Sequence, residues 1–145
     1  MELMRILNND LLINSLVAWA AAQVIKTIIY AIINKRLDWE RLFGDGGMPS
    51  GHSATVTALA VTAALEYGLD SPVFAICAIL AIIVMHDATG VRLEAGKHAR
   101  AINELTEMLE SNKEPEEKLK ELLGHTPLQV VSGVVLGALV AVVLS

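Results

Sequence analysis

A single cysteine, Cys77, set inside an apolar run, excludes any disulfide framework within this chain. Charge is sparse over long stretches: of the eleven lysines and arginines, nine fall in just two segments, 34–50 and 92–124. A soluble domain keeps its charges distributed; here the runs between the charged segments carry almost none. The formal net charge of −5 argues against non-specific nucleic-acid binding, which needs a basic surface. There is no internal repeat and no low-complexity tract. No cleavable signal peptide is expected, because the apolar run behind MELMRILNND is too long for one and lacks a clear small-residue cleavage site.

What is present is apolar helix. The 145 residues are 54% hydrophobic with a mean hydropathy of +0.53, and only 4% are aromatic. Four spans stand out, at about 11–33, 51–67, 71–88 and 126–145. The first gives roughly 34 Å of helix at about 1.5 Å per residue, enough to cross a bilayer, and the last crosses comfortably without any charge. The middle two lie near the lower limit of length and reach it only with terminal polar residues. A soluble bundle of this size needs polar outer faces, and these helices have none. The pattern therefore predicts an all-α chain, a single integral-membrane domain over 1–145. Its form is a four-helix transmembrane bundle with an amphipathic helical insert, about 93–124, between the third and fourth spans.

Basic residues set the orientation. With four spans, the N-terminus, the EYGLDSP turn and the C-terminus share one side, which carries only Arg5. The other side holds both basic segments, so the positive-inside bias places them in the cytoplasm of a multi-pass cell-membrane protein. Within the insert, Ile102, Leu105, Met108 and Leu109 recur at helical spacing. Pro115 then reads as the first turn of a second helix with Leu119, Leu122 and Leu123 on its apolar side, an amphipathic hairpin on the membrane surface or over the bundle. Gly133 and Gly137 have the G-x-x-x-G spacing of close helix contacts. Packing within the chain is their first reading, and a homodimer their second.

Polar residues inside membrane spans are costly and need a reason. Lys26 lies two-thirds of the way along the first span, with Gln23 one turn earlier on the same face. Its bland role is snorkelling to nearby headgroups. His52 opens the second span, His86, Asp87 and Arg92 mark the end of the third, and His125 opens the fourth. By topology alone, Lys26, His52, Arg92 and His125 converge on one end of the bundle.

The stretch GDGGMPSGHSATV, residues 44–56, leads glycines and a proline straight onto a helix N-terminus. Free N–H groups and the helix dipole make such a turn an anion site. Gly51 lets a ligand oxygen approach, Ser50 offers a hydroxyl, and His52 stands beside the anion. With Lys26 and Arg92 as cations and His125 as a second imidazole, this inventory suits phosphoryl transfer. That reaction needs charge neutralised, one group to attack phosphorus and one to protonate the leaving oxygen, and histidine does both near neutral pH without a metal or other cofactor. A metal held by His52, His86, Asp87 and His125 is the rival use, but their spacing matches no compact ligand motif, and nearby cations oppose it. His98, in GKHAR, reads as a solvated residue, and His86 as a helix C-terminal cap.

These residues resemble a known family. PSGH, residues 49–52, is the central signature of the type 2 phosphatidic acid phosphatases, which also include acid phosphatases and vanadium-dependent haloperoxidases. In order along nearly the whole chain, AQVIK, GGMPSGHSATV, DATGVR and LGHTPLQV resemble its divergent bacterial and plant branch. The resemblance implies that Lys26 binds phosphate, that Ser50 and Gly51 hold phosphate oxygens, and that Arg92 matches the third-motif arginine. It implies His52 as general acid and His125 as the nucleophile of a phospho-histidine intermediate.

The chain departs from the family in several places. The first-motif arginine position is Ile33, and 32 residues separate Arg92 from His125 where the family has five. Gln129 replaces the aspartate that orients the imidazole; its amide can still accept the ring N–H but carries no full charge. Asp87 is a candidate to supply that carboxylate. The family's integral members usually have six spans and a site facing away from the cytoplasm. The expected function is a metal-independent membrane phosphatase acting on a lipid phosphate or diphosphate, its partners being that substrate and membrane lipids. The alternative is a non-catalytic membrane protein that binds phospholipid headgroups or other anions, in transport or assembly.

Overall fold

The computed structural model describes residues 2–37, 39, 46–109, 119 and 124–145. Among them six helices follow in order, α1 (Glu2–Leu7), α2 (Asp10–Asn34), α3 (Gly51–Tyr67), α4 (Pro72–Thr89), α5 (Val91–Leu109) and α6 (Pro127–Leu144), with no strand. The four apolar helices begin where the chain offers a cap. Asn9 Oδ1 accepts from Leu12 N–H at 3.1 Å, Ser71 Oγ from Phe74 N–H at 3.1 Å, and Ser50 Oγ from Ser53 N–H at 3.3 Å. Thr126 and Gln129 form a reciprocal capping box ahead of α6. Pro72 and Pro127 occupy first helical positions, where a missing N–H costs nothing.

Among the described residues three helical segments are long and apolar enough to cross a membrane: α2, the segment from Pro72 that contains α4, and α6. The predicted second span is the exception. With 17 residues α3 rises about 25 Å, short of a hydrocarbon core about 30 Å thick. It is also the most enclosed helix, packing against α2, α4 and α6.

Packing is inverted relative to a soluble domain. The fully buried seam is alanine, with Ala18 and Ala22 from α2, Ala54 and Ala58 from α3, and Ala141 from α6. The large side chains Ile28, Ile32, Ile33, Ile76, Ile82, Ile83 and Val143 all face outward. Small residues inside and aliphatic ones outside are what lipid as solvent demands. Gly133 and Gly137 complete the seam. A Cβ on Gly133 would lie 2.5 Å from Ser50 O, and one on Gly137 would collide with Ala54 O. The G-x-x-x-G face of α6 is thus taken up by α3 of the same chain.

α2 and α3 run antiparallel in a fixed register. Asn14 bonds Thr62 near one end, while Gly51 lies against Trp19 and Gln23 at the other. The eight residues of α2 after Lys26 therefore project about 12 Å past that point. The insert begins immediately after Gly90 as α5, so Arg92 belongs to its first turn. Lys97 pairs with Glu94 at 2.7 Å and holds that carboxyl below its usual range, and Arg100 pairs with Glu104 at 3.0 Å. Asn103 on the buried side exchanges two hydrogen bonds with the backbone of Leu119, at 2.9 and 3.0 Å. Of the expected second insert helix, only Leu119 is described; Pro115, Leu122 and Leu123 lie outside the described residues.

Candidate functional site

Three helix ends are tied together by two backbone bonds. Ser50 N–H donates to Gln129 O at 3.0 Å, joining the start of α3 to the first turn of α6. His125 N–H donates to Ala88 O at 2.9 Å, joining the approach to α6 to the end of α4. Together they bring His52 and His125, 73 positions apart in sequence, to a ring-centroid separation of 6.0 Å in an edge-on arrangement at 75°. His125 is buried, whereas His52 is exposed.

α2 supplies the opposite wall. Trp19, Gln23 and Lys26 repeat at i, i+4 and i+7 on one face, and the Lys26 ammonium donates to Gln23 Oε1 at 2.6 Å. Lys26 is only 7% exposed, so its amine is held inside the protein rather than snorkelling. The glycine turn makes this possible. Gly47, at φ +88°, passes so close to the lysine stem that a Cβ there would lie 3.0 Å from Lys26 Cγ. A β-carbon would be strained by the backbone and crowd the stem as well.

These parts enclose a cavity of about 350 Å³ lined by Trp19, Gln23, Lys26, Gly51, His52 and His125, with Gly46, Thr55, Val56 and Val84 completing it. Gly51 opens α3, where unbonded N–H groups and the helix dipole favour an anion. A buried ammonium, a helix N-terminus and two imidazoles share one space, and a phosphate group is the chemistry that fits them.

The other candidates stand elsewhere. Ser50 is fully buried as the cap of α3, accepting from Ser53 N–H and from Ser53 Oγ at 3.0 Å, beneath α6 and off the cavity wall. Gln129 Oε1 accepts from Thr126 N–H at 2.9 Å in the capping box, so the amide oxygen expected to face the His125 ring is engaged in holding the helix start. Asp87 is half-buried near the end of α4 and does not line the cavity. The Arg92 side chain lies outside what the structure describes. Among the described residues, no group of three or more His, Cys, Asp or Glu is placed to hold a metal.

Trp19, Thr55, Val56 and Val84 line the cavity without having been expected there. Trp19 had a readable signal, one turn before Gln23 and two before Lys26 on the same face of α2. Val84 had none, because its place depends on how α4 is rotated against α3.

The described residues form an all-helical protein with helices long and apolar enough to cross a membrane, and with a cavity lined by Lys26, His52 and His125 at one end of them. The chain belongs to the Divergent PAP2 family, whose model matches residues 7–140. It is 47% identical over 156 residues to the uncharacterized membrane protein YuiD of Bacillus subtilis (strain 168), with 98% of each chain covered. No solved structure matches it.

Proposed function

We propose that the chain is a membrane phosphatase that hydrolyses a lipid phosphate or diphosphate without a metal, with all four packed helices crossing the bilayer. One observation carries this reading: Lys26, His52 and His125, from three separate segments, line one cavity. The His125 imidazole attacks phosphorus, and the bond from phosphorus to the lipid oxygen breaks as His52 gives that oxygen a proton. The lipid alcohol leaves. Water, deprotonated by His52, then attacks the phospho-histidine, releasing inorganic phosphate and restoring both rings. Lys26, fixed by Gln23, and the N–H groups opening α3 neutralise the charge that develops on the phosphoryl oxygens. Lys35 and Arg36 follow α2, and Lys97 and Arg100 follow α4, so the positive-inside bias puts the cavity toward the cytoplasmic leaflet. Purified protein in detergent should release phosphate from phosphatidate without added metal, with vanadate inhibiting, and His125→Ala should abolish release.

A second reading, an anion- or headgroup-binding membrane protein without chemistry, is favoured by one observation. The Gln129 oxygen is engaged by Thr126, so it does not orient the His125 ring as the family's aspartate does. Phosphatidate binding that survives His125→Ala, together with no hydrolysis across a lipid panel, selects this reading.

A further inference from the structure

The four packed helices leave one side of the cavity without a helix. α3 packs against α2, α4 and α6, and α6 packs against α2 and α4, yet among the described residues α2 and α4 do not pack against each other. They flank the α3–α6 pair from opposite sides. α6 covers the face of α3 that carries Ser50, Ala54 and Thr57, and α2 meets the face with Gly51 and Thr62. His52, Thr55 and Leu59 recur at i, i+3 and i+7 on the remaining face and are exposed or half-buried. The cavity has this layout in miniature, with Trp19 of α2 and Val84 of α4 as walls and His52, Thr55 and Val56 as floor.

The cleft also changes character along its length. At the site end stand Lys26, His52 and His125. Away from it, toward the Asn14 end, Leu16 and Leu12 continue the helical face that carries Trp19, and Leu80 lies one turn before Val84 on α4, all exposed. The Thr55 hydroxyl donates to Gly51 O at 2.8 Å, so that floor residue already has its partner. One end therefore suits an anion and the rest suits hydrocarbon, which is the polarity of one membrane lipid with a terminal phosphate.

Building on the phosphatase reading, we propose that the α2–α4 cleft is a lateral portal. The substrate enters sideways from the bilayer, and its apolar chain lies on Thr55 and Leu59 between Trp19 and Val84 while its phosphate sits among Lys26, His52 and His125. Water-soluble phosphate esters lack the chain that fills this cleft. Recognition of the lipid thus rests on apolar walls that carry no sequence motif.

Trp19, 40% exposed at the mouth, reports directly on occupancy. Trp39→Phe leaves it as the single tryptophan. The protein is placed in phosphatidylcholine vesicles containing a minor fraction of either chain-brominated phosphatidate or chain-brominated phosphatidylcholine. Bromine quenches an indole on contact. The portal predicts that brominated phosphatidate quenches Trp19 several-fold more strongly, and that Lys26→Met removes the difference. A reporter tryptophan at Val143→Trp, on the exposed face of α6 in a chain with Trp19→Phe and Trp39→Phe, should be quenched equally by both lipids. Equal quenching of Trp19 by both lipids overturns the portal, even where phosphate is released. Preferential quenching without phosphate release upholds the portal and removes the hydrolase reading.

Discussion

The two ends of the α2–α3–α6 contact handle buried polar groups in opposite ways. At one end, Asn14 Nδ2 donates to Thr62 Oγ1 and to Ser145 Oγ, both at 3.1 Å, and the three helices close on one another through side chains. At the other end, Lys26, His52 and His125 face one another across a cavity. A polar group in an apolar bundle costs free energy unless it is bonded. The Asn14 end offsets that cost through bonds between the helices rather than around a ligand. The Lys26 end leaves room for one. Polarity within a membrane span therefore does not itself mark a site; polarity facing a space does.

Substitutions at the two ends should separate chemistry from assembly. The largest effect belongs to His125→Ala, expected to lower phosphate release by at least about 10³-fold while the thermal melting of the purified protein holds. Lys26→Met should follow at about 10²- to 10³-fold, because in the proposed mechanism it removes the buried charge that neutralises the phosphoryl oxygens. Gln23→Leu deletes the 2.6 Å partner of that ammonium. A hydrogen bond to a charged group contributes about 1.5–3 kcal/mol, so kcat/KM should fall about tenfold or more with the fold intact.

Assembly is probed elsewhere. Gly137→Leu drives a side chain into Ala54 O and should destabilise the bundle by about 1–3 kcal/mol, read as a lower melting temperature in detergent, with activity falling in step. Asn14→Leu breaks the knot at the far end and should cost about 1 kcal/mol or less, because hydrogen bonds between membrane helices are individually weak. Turnover per folded molecule should not change. Lost turnover in Asn14→Leu with an unaltered melt would erase the distinction between the two ends.

Much of this was legible in the chain itself. Helix starts were written in Ser71-Pro72 and Thr126-Pro127, and the helix limits read from apolar runs fall within a residue of those observed. The meeting of Lys26, His52 and His125 followed from topology, since successive antiparallel helices return to the same end; the Arg92 side chain expected beside them lies outside what the structure describes. Two readings missed because one residue had two plausible partners. Ser50 suggested a ligand hydroxyl, but a serine before a helix also caps it, and the cap prevailed. Gln129 suggested an orienting group for His125, yet Thr126-x-x-Gln129 is a capping-box pattern too. The roles of Trp19 and Val84 as facing walls were beyond the sequence for another reason, although Trp19 shares the face of Gln23 and Lys26. Their importance depends on which helices fail to touch, and a hydropathy pattern encodes helix faces but not gaps between them.

The central claim is tested most directly by trapping the intermediate. Purified protein is mixed with phosphatidate carrying a radiolabelled phosphate, quenched in alkaline detergent and separated by electrophoresis. The account predicts label on the protein that survives alkali, is lost in acid as a phospho-histidine is, maps to the peptide containing His125, and is absent from His125→Ala. Phosphate release at full rate from His125→Ala, or label of unchanged amount on that variant, would contradict it.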